Sequence, residues 1–206
     1  MVYLALTKMR RIECDGYIFP EDYYDIPGVN DFQDLKAVKE YSLKKLECYR
    51  GEKVDVCLNG GMTVEILAMI QAAAELKIEL ILWHYDREKE DYMDQKVNWK
   101  PVHVSDEDKE PVATVVLCKG RHWSQREKAI FDTIPAERIF DFKWQEEEAD
   151  QCLRDFKGRR IAIYVSGLTS AAVSVLNAAW REQISVTWLH YDYDKEDYFP
   201  QCMDGV

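Results

Sequence analysis

One short loop in the second half of the sequence gathers the side chains that phosphodiester chemistry uses. It reads Lys119-Gly120-Arg121-His122-Trp123. The two cations can hold a phosphate and stabilise the charge that develops on it, while an imidazole titrates near neutral pH and can transfer a proton. We therefore predict Lys119, Arg121 and His122 as catalytic residues, with Trp123 as a ring on which a base can stack. The competing interpretation is a solvated basic loop with a half-buried Trp.

Two glycine-containing turns, each placed before a helix, are the second kind of candidate. They read Asn59-Gly60-Gly61-Met62-Thr63 and Ser166-Gly167-Leu168-Thr169-Ser170. Backbone N–H groups at the start of a helix bind anions, and glycine lets a ligand approach the backbone closely. Many strand-to-helix turns need a glycine for structural reasons alone, so a purely structural turn has equal weight. The candidate ligand-binding residues from these turns, and from the basic loop after the first strand, are Lys8, Arg10, Arg11, Asn59, Gly60, Gly61, Thr63, Ser166, Gly167, Leu168, Thr169 and Ser170.

The two turns differ at one position that matters for an anion. Glu65 lies in the first turn of the first of these helices, and Ala171 occupies the matching position of the second. A carboxylate near a helix N-terminus competes with a bound anion for the same N–H groups. We therefore predict that the second turn is the better phosphate site.

A charged, aromatic string is written twice in the sequence. The first copy is His84-Tyr85-Asp86-x-x-Lys89-Glu90-Asp91-Tyr92-x-x-Gln95, and the second runs from His190 to Gln201. The offset is 106 residues (190 minus 84), which indicates an internal duplication with two halves related by a pseudo-two-fold axis. His84 and His190 are candidate ligand-binding residues, and Gln95 and Gln201 could read a base. A structural role for the string is the slightly favoured interpretation.

Strands alternate with helices along the chain. This pattern predicts an α/β protein with Rossmann-like, mostly parallel sheets and helices on both faces. We assign residues 1–105 to a first repeat and residues 106–206 to a second, joined by an acidic linker at 105–111. Ligands of such sheets bind beyond the carboxyl ends of the strands, where the basic loops and the glycine turns fall.

Three further predictions concern segments beside these loops. Ser124 and Glu127 form a capping box for a helix that runs to Ile134. Residues 138–142 are predicted to be a strand. The long polar loop at 17–31 has no counterpart in the second repeat, and we predict that it acts as a lid.

Composition restricts the partners. The net charge of −11 argues against binding to long nucleic acids, which depends on Lys and Arg. The six cysteines form no C-x-x-C pair, which indicates reduced cysteines of a cytoplasmic protein.

No apolar run is long enough for a signal sequence or a membrane span, so we expect no membrane partner. Metal-ligand spacing, the G-x-G-x-x-G motif and the Walker motif are missing, so we expect neither a metal nor a cofactor.

The second half resembles a known family. Residues 112–203, with Lys119-Gly120-Arg121-His122 and Val165-Ser166-Gly167-Leu168-Thr169, resemble the CARF (CRISPR-associated Rossmann fold) proteins, and residues 54–95 do so through the repeat. More narrowly, the sequence is similar to the small ring nucleases of type III CRISPR systems. The resemblance implies an antiviral-defence protein that binds cyclic oligoadenylate and cleaves it by metal-independent transesterification, which switches off the signal. The sequence departs from the family's usual Thr-Gly-Gly-Thr-Lys form, because neither turn carries the Lys.

Two other functions remain open at this point. The protein could be a sponge or sensor that holds the same ligand without cleaving it, in which case His122 is dispensable. It could instead be a Rossmann-like protein for another nucleotide, or a scaffold with no small ligand. The sequence leaves open the ring size of the ligand, and it fits a homodimer as well as a monomer that makes a whole site.

Overall fold

The structure is a computed structural model that describes residues 2–8, 13–20, 26, 34–60, 62–103, 110–119, 128–166 and 168–203. The predicted site residues outside these ranges are Arg10, Arg11, Gly61, Arg121, His122, Trp123 and Gly167. The chain forms two compact units, a first unit at Met1–Val97 and a second unit at Asn98–Val206. The assignment of the repeats to 1–105 and 106–206 stays a prediction, because residues 104–109 lie outside the described ranges.

In the first unit, the described residues form one sheet and two α-helices. The strands are β1 (Val2–Thr7), β2 (Gly16–Phe19), β3 (Lys53–Cys57), β4 (Glu79–Asp86) and β5 (Asp91–Lys96). The helices are α1 (Leu35–Leu46), which continues as a 3-10 turn at Glu47–Tyr49, and α2 (Thr63–Glu75). The sheet order is β2-β1-β3-β4-β5, and all neighbours are parallel except β4 and β5.

The described part of the second unit repeats this architecture. Its strands are β6 (Thr114–Cys118), β7 (Lys128–Phe131), β8 (Arg160–Tyr164), β9 (Ser185–Asp192) and β10 (Asp197–Cys202). Its helices are α3 (Phe142–Leu153) and α4 (Thr169–Arg181), with 3-10 turns at Ala136–Arg138 and Arg154–Phe156. The order β10-β9-β8-β6-β7, read from the β7 edge, is the same as that of the first sheet, and β9 and β10 are the only antiparallel neighbours among these described strands. The predicted fold class, Rossmann-like α/β with mostly parallel sheets in two duplicated halves, is confirmed.

The same local signals begin and end α1 and α3. The carboxylate of Asp34 accepts a hydrogen bond from the N–H of Ala37 (3.1 Å), and Asp141 does the same for Trp144 (3.0 Å). These are N-caps, which satisfy N–H groups that have no partner inside the helix. After the 3-10 turns the chain reverses at Gly51 (φ 74°) and at Gly158, with φ values that favour glycine.

The described helices cover one face of each sheet. In the first unit, α1 connects β2 to β3 and α2 connects β3 to β4, and both connections run in the same direction along the sheet. The second unit repeats this course with α3 and α4. Because such crossovers are right-handed in nearly all proteins, both helices fall on the same face. Accordingly, α1 packs against α2, and α3 packs against α4. The sequence predicted helices on both faces, but the connection from β1 to β2 contains no helix in its described residues.

The apolar core of each unit lies between the sheet and its helices. In α2 the side chains of Ile66, Leu67 and Ile70 are buried, and in β4 those of Leu80 and Leu82 are buried. The strand shows the period of two that is expected when one face is covered. The helix is apolar on most of its surface, which suits an element packed on several sides.

The two units match element by element, and the offset between matching elements changes along the chain. Helices α2 and α4 begin at Thr63 and Thr169, an offset of 106 residues, and the strands that follow keep this offset. From α1 to the end of β3 the offset is 107, and the N–H of Leu58 donates to the carbonyl of Trp83 as that of Val165 donates to Leu189, both at 2.9 Å. The turn after β3 is therefore one residue longer than the turn after β8.

Two of the local predictions were wrong. Residues 128–131 form β7, which pairs with β6, and not the end of a helix that reaches Ile134. Residues 138–142 contain the end of a 3-10 turn and the first residue of α3 instead of a strand. A local sequence pattern contains no information about a parallel partner strand that is distant in the chain. Pairing with that strand overrides the local secondary-structure propensity. The predicted lid at 17–31 begins inside β2, which does have a counterpart in β7, and most of its other residues lie outside the described ranges.

Candidate functional site

The carboxyl ends of the central strands form the candidate site in each unit. The chain leaves β1 for β2 on one side and later returns to β3 on the other, and β6, β7 and β8 repeat this course. Such a switch point opens a crevice where ligands of α/β sheets bind. Lys8 follows β1 and Lys119 follows β6, so both predicted basic residues that the structure describes lie at this edge. Both side chains are exposed, and the ammonium of Lys119 lies 3.4 Å from the carboxylate of Asp132.

One buried polar side chain in each unit joins the ends of two neighbouring strands. The side chain of Asn59 accepts a hydrogen bond from the N–H of Thr7 (3.1 Å) and donates to its carbonyl (2.8 Å). In the second unit the Ser166 hydroxyl accepts from the N–H of Cys118 (3.0 Å) and donates to its carbonyl (3.1 Å). Asn59 and Ser166 are both buried. Both side chains are therefore engaged in joining the strand ends.

The helix start in the first unit is already occupied by a carboxylate. Glu65 accepts a hydrogen bond from the N–H of Met62 at 2.6 Å and is 4% exposed. Burial raises the pKa of the Glu65 carboxyl, and the hydrogen bond from Met62 opposes that rise. This side chain stands where an anion would meet the helix dipole. The neighbouring predicted residues, Gly60 and Thr63, thus lie at a helix start that carries its own acid.

The helix start in the second unit has no such acid. Ala171 stands at the position of Glu65, and Leu168, which precedes the helix, makes no side-chain capping bond. The predicted residues Leu168 and Thr169 are half-buried at this end. The hydroxyl of Ser170 donates to the carbonyl of Ile139 (3.3 Å), so it ties the helix to the segment before α3. The described residues at the start of α4 therefore include no carboxylate to compete with an anion, and the choice of this helix start as the phosphate site stays a prediction.

The repeated string forms a β-hairpin in each unit, β4 with β5 and β9 with β10. The ring Nε2 of His84 bonds to the side-chain oxygen of Gln95 at 2.8 Å, and His190 bonds to Gln201 at the same distance. Burial lowers the pKa of both histidines to about 4, and the hydrogen bond opposes the shift. Both rings are therefore neutral at physiological pH, with Nε2 donating its proton to the amide oxygen.

The acidic part of the string shapes the turn of the hairpin. Asp86 accepts hydrogen bonds from the N–H groups of the second and third residues after it, and its carboxylate pairs with Lys89 at 3.3 Å. Asp192 and Lys195 repeat these contacts. Glu90 follows with a positive φ of 52°, as does its counterpart in the second unit (51°). These contacts support the structural interpretation of the string, while ligand binding by His84 or His190 stays a prediction.

A row of four tyrosines at the carboxyl end of the second sheet was not selected from the sequence. Tyr164 ends β8 and packs edge-on against Tyr198, with ring centroids 4.5 Å apart. Tyr198 contacts Tyr191 at 5.1 Å, and Tyr191 contacts Tyr193 at 4.9 Å. We call these residues the tyrosine row. Strand pairing creates it, because Tyr164 is distant in sequence from the other three.

The described residues contain neither a metal-binding cluster nor a membrane-spanning helix. In residues with a described position, no group of three or more His, Cys, Asp or Glu side chains lies close enough to hold a metal ion. The helices described are too short and too polar to cross a bilayer, the longest spanning 13 residues.

No family model matches the sequence, and no curated protein matches it. Solved structures do match. Cap4, a SAVED/CARF-domain containing receptor from Acinetobacter baumannii, matches with a TM-score of 0.52 at 9% identity in its structure with the cyclic trinucleotide 3′3′3′-cAAA. The match covers 98% of this chain and 51% of the receptor. The fold is CARF-like.

Two further structures extend the comparison. The Acinetobacter baumannii receptor with 2′3′3′-cAAA matches at 6% identity and a TM-score of 0.52, over 99% of this chain and 51% of the receptor. The Moraxella osloensis Cap4 receptor matches at 10% identity and a TM-score of 0.51, over 97% and 48%. This chain therefore spans about half the length of the receptors that it matches. At such identities the likeness concerns the fold.

Proposed function

We propose that this protein binds a cyclic oligoadenylate at the carboxyl edge of its second sheet. The likeness to the Cap4 receptors carries the proposal, because it extends over nearly the whole chain and two of the matched structures hold cyclic trinucleotides. A fold alone does not define a ligand, so the site has to supply the chemistry. It does so with an exposed cation and an uncapped helix start at one switch point.

The phosphates of the ligand are assigned to the start of α4. Its first N–H groups and the helix dipole attract an anion, and Lys119 adds a positive charge at the end of the adjacent strand. The net charge of −11 favours a small anion held by local groups over a long nucleic acid. Glu65 makes the corresponding helix start in the first unit the weaker phosphate site.

Cleavage of the bound ring is the second candidate function, and it uses the same site. In this reaction a ribose 2′-oxygen attacks the adjacent phosphorus, the bond to the 5′-oxygen breaks, and a proton moves from the 2′-hydroxyl to that leaving oxygen. His84 and His190 hold their Nε2 protons in hydrogen bonds inside the sheet. We assign the proton transfer to His122 because it lies in the predicted basic loop, with Lys119 and Arg121 stabilising the charge on phosphorus. A receptor that holds the ring intact is the alternative.

Titration with cyclic tri-, tetra- and hexaadenylate tests the proposal. We expect one of these rings to bind, and a linear triadenylate to bind more weakly, because a ring pays less conformational entropy on binding. Chromatography of the same mixtures, incubated in EDTA, separates cleavage from retention. If none of the rings binds at millimolar concentration, the proposed function is wrong. If a ring binds and stays intact over hours, cleavage is excluded and binding stands.

A further inference from the structure

The tyrosine row ends in a ring that the protein leaves in solvent. Tyr193 is 84% exposed, whereas Tyr164, Tyr191 and Tyr198 are half-buried. Tyr191 and Tyr193 meet at an interplanar angle of 89°, an edge-to-face contact that leaves a face of the outer ring uncovered. An exposed ring with an uncovered face can stack on a flat aromatic partner.

The first unit lacks this feature at the matching positions. Cys57 ends β3 where Tyr164 ends β8, and Arg87 takes the place of Tyr193. The pair Tyr85 and Tyr92 is present, with centroids 5.1 Å apart. The hairpin therefore folds without the two additional rings. They occur in the unit whose helix start is free of a carboxylate.

The acidic residues of the hairpin tip restrict what the row can bind. Asp194 and Glu196 flank the turn and are exposed, while Asp192 is engaged with Lys195. Exposed carboxylates repel a phosphate. The matching turn of the first unit is acidic as well, so these charges belong to the hairpin and the extra tyrosines are the added feature. An uncharged aromatic group fits this surface, and a phosphate does not.

We propose that the tyrosine row stacks a purine base of the ligand, with Tyr193 as the contacting ring. The inference rests on the proposed function and assigns the two ends of a nucleotide to two places in the second unit. The phosphate lies at the start of α4, and the base lies toward the hairpin. Tyr164 links the two places, because it stands just before the turn that leads into α4.

Substitution of Tyr193 tests the inference. It should not destabilise the fold, because the side chain is exposed. Tyr193→Leu should weaken the binding of the ring that wild type binds best by about 5- to 150-fold, the usual range for one stacked base. Tyr193→Phe keeps the ring and should bind like wild type. Arg87→Leu, at the matching position of the first unit, is the control for a general change of the hairpin surface and should also bind like wild type.

The outcomes separate this inference from the proposed function. If wild type binds a cyclic oligoadenylate and Tyr193→Leu binds it equally well, the stacking site is wrong and the proposed function stands. If wild type binds none of the rings, both are wrong. A parallel titration with spermine tests a cation on the rings, which the acidic turn would also attract. Spermine binding that Tyr193→Leu abolishes, with ring binding unchanged, would reassign the surface to a cation.

Discussion

Glu146 of α3 forms an ion pair with Arg181 of α4, and the first unit repeats this pair with its charges exchanged. There Lys39 of α1 pairs with Glu75 of α2 at 2.8 Å. The positions are equivalent under the offsets of the two units (39 plus 107, and 75 plus 106). An attraction between the two helices was thus kept while its polarity reversed. If α1 packed against α4, or α3 against α2, residues of like charge would meet at these positions. The charges therefore favour packing between the two helices of the same unit.

The ion pair in the second unit has additional hydrogen-bonded and charged neighbours. Arg181 also binds Asp150 at 2.9 Å, and Glu146 accepts a hydrogen bond from Asn177 at 2.8 Å. Asn177 in turn accepts from the N–H of Asn98 at 2.8 Å. Arg181→Leu would leave two carboxylates without their cation. We expect a loss of about 1–3 kcal/mol in the free energy of unfolding, between the values of exposed and buried pairs.

The matched control for that change is Glu75→Leu in the first unit. The pair there is more exposed, so we expect a loss of only about 0.2–1 kcal/mol. Urea unfolding followed by circular dichroism measures both variants. Equal losses would contradict the view that the network around Arg181, and not the single ion pair, stabilises α3 on α4.

The buried histidines predict a loss of stability in mild acid. Their pKa is about 4 in the folded protein and 6.5 when unfolded, so the unfolded chain takes up protons first as the pH falls. Stability is therefore full above pH 6.5 and decreases toward pH 4. At pH 5 each histidine should cost about 2 kcal/mol relative to pH 7.

Unfolding of His190→Gln at pH 7 and pH 5 isolates this effect. The variant should be less stable at pH 7, because its hydrogen bond to Gln201 and its packing change. It should lose about 2 kcal/mol less than wild type between the two pH values. If the difference between pH 7 and pH 5 is the same in both proteins, His190 is not the buried neutral group that the structure describes.

Exchange of one residue between the two helix starts tests which unit holds the phosphate. Ala171→Glu places a carboxylate at the start of α4, as Glu65 does in α2, and should weaken ligand binding at least tenfold by competing for the same N–H groups. Glu65→Ala should leave ligand affinity unchanged or improved, at a stability cost of about 1 kcal/mol for the lost cap. Calorimetry measures both affinities. The reverse order would assign the phosphate to the first unit.

His122→Ala separates cleavage from binding. Loss of a general acid or base typically lowers the rate about 10²- to 10⁴-fold, while binding should persist because the phosphate contacts remain. Arg121→Ala should lower both affinity and rate, since a guanidinium grips the phosphate before and during the reaction. Single-turnover kinetics with enzyme in excess measures the rates. If wild type cleaves and His122→Ala cleaves equally fast, the proton transfer belongs to another group.

Several features could be predicted from the sequence because their causes are local or repeated. The duplicated string implied two copies of one architecture, since similar sequences fold alike. The carboxylate of Glu65 near the start of α2, and its absence at Ala171, follow from single positions near a helix N-terminus, where side chain and backbone are neighbours in the chain.

Other features were decided only when distant segments met. Strand β7 exists because Lys128–Phe131 pairs with β6, and the sequence alone predicted a helix there. The same strings that suggested ligand contacts close on themselves in hairpins, which pair His84 with Gln95 across two strands. Tyr164 joins Tyr198 for the same reason. Local sequence determines where a helix begins and ends, but hydrogen bonding between strands determines which side chains share a surface, and that partner choice is a property of the folded chain.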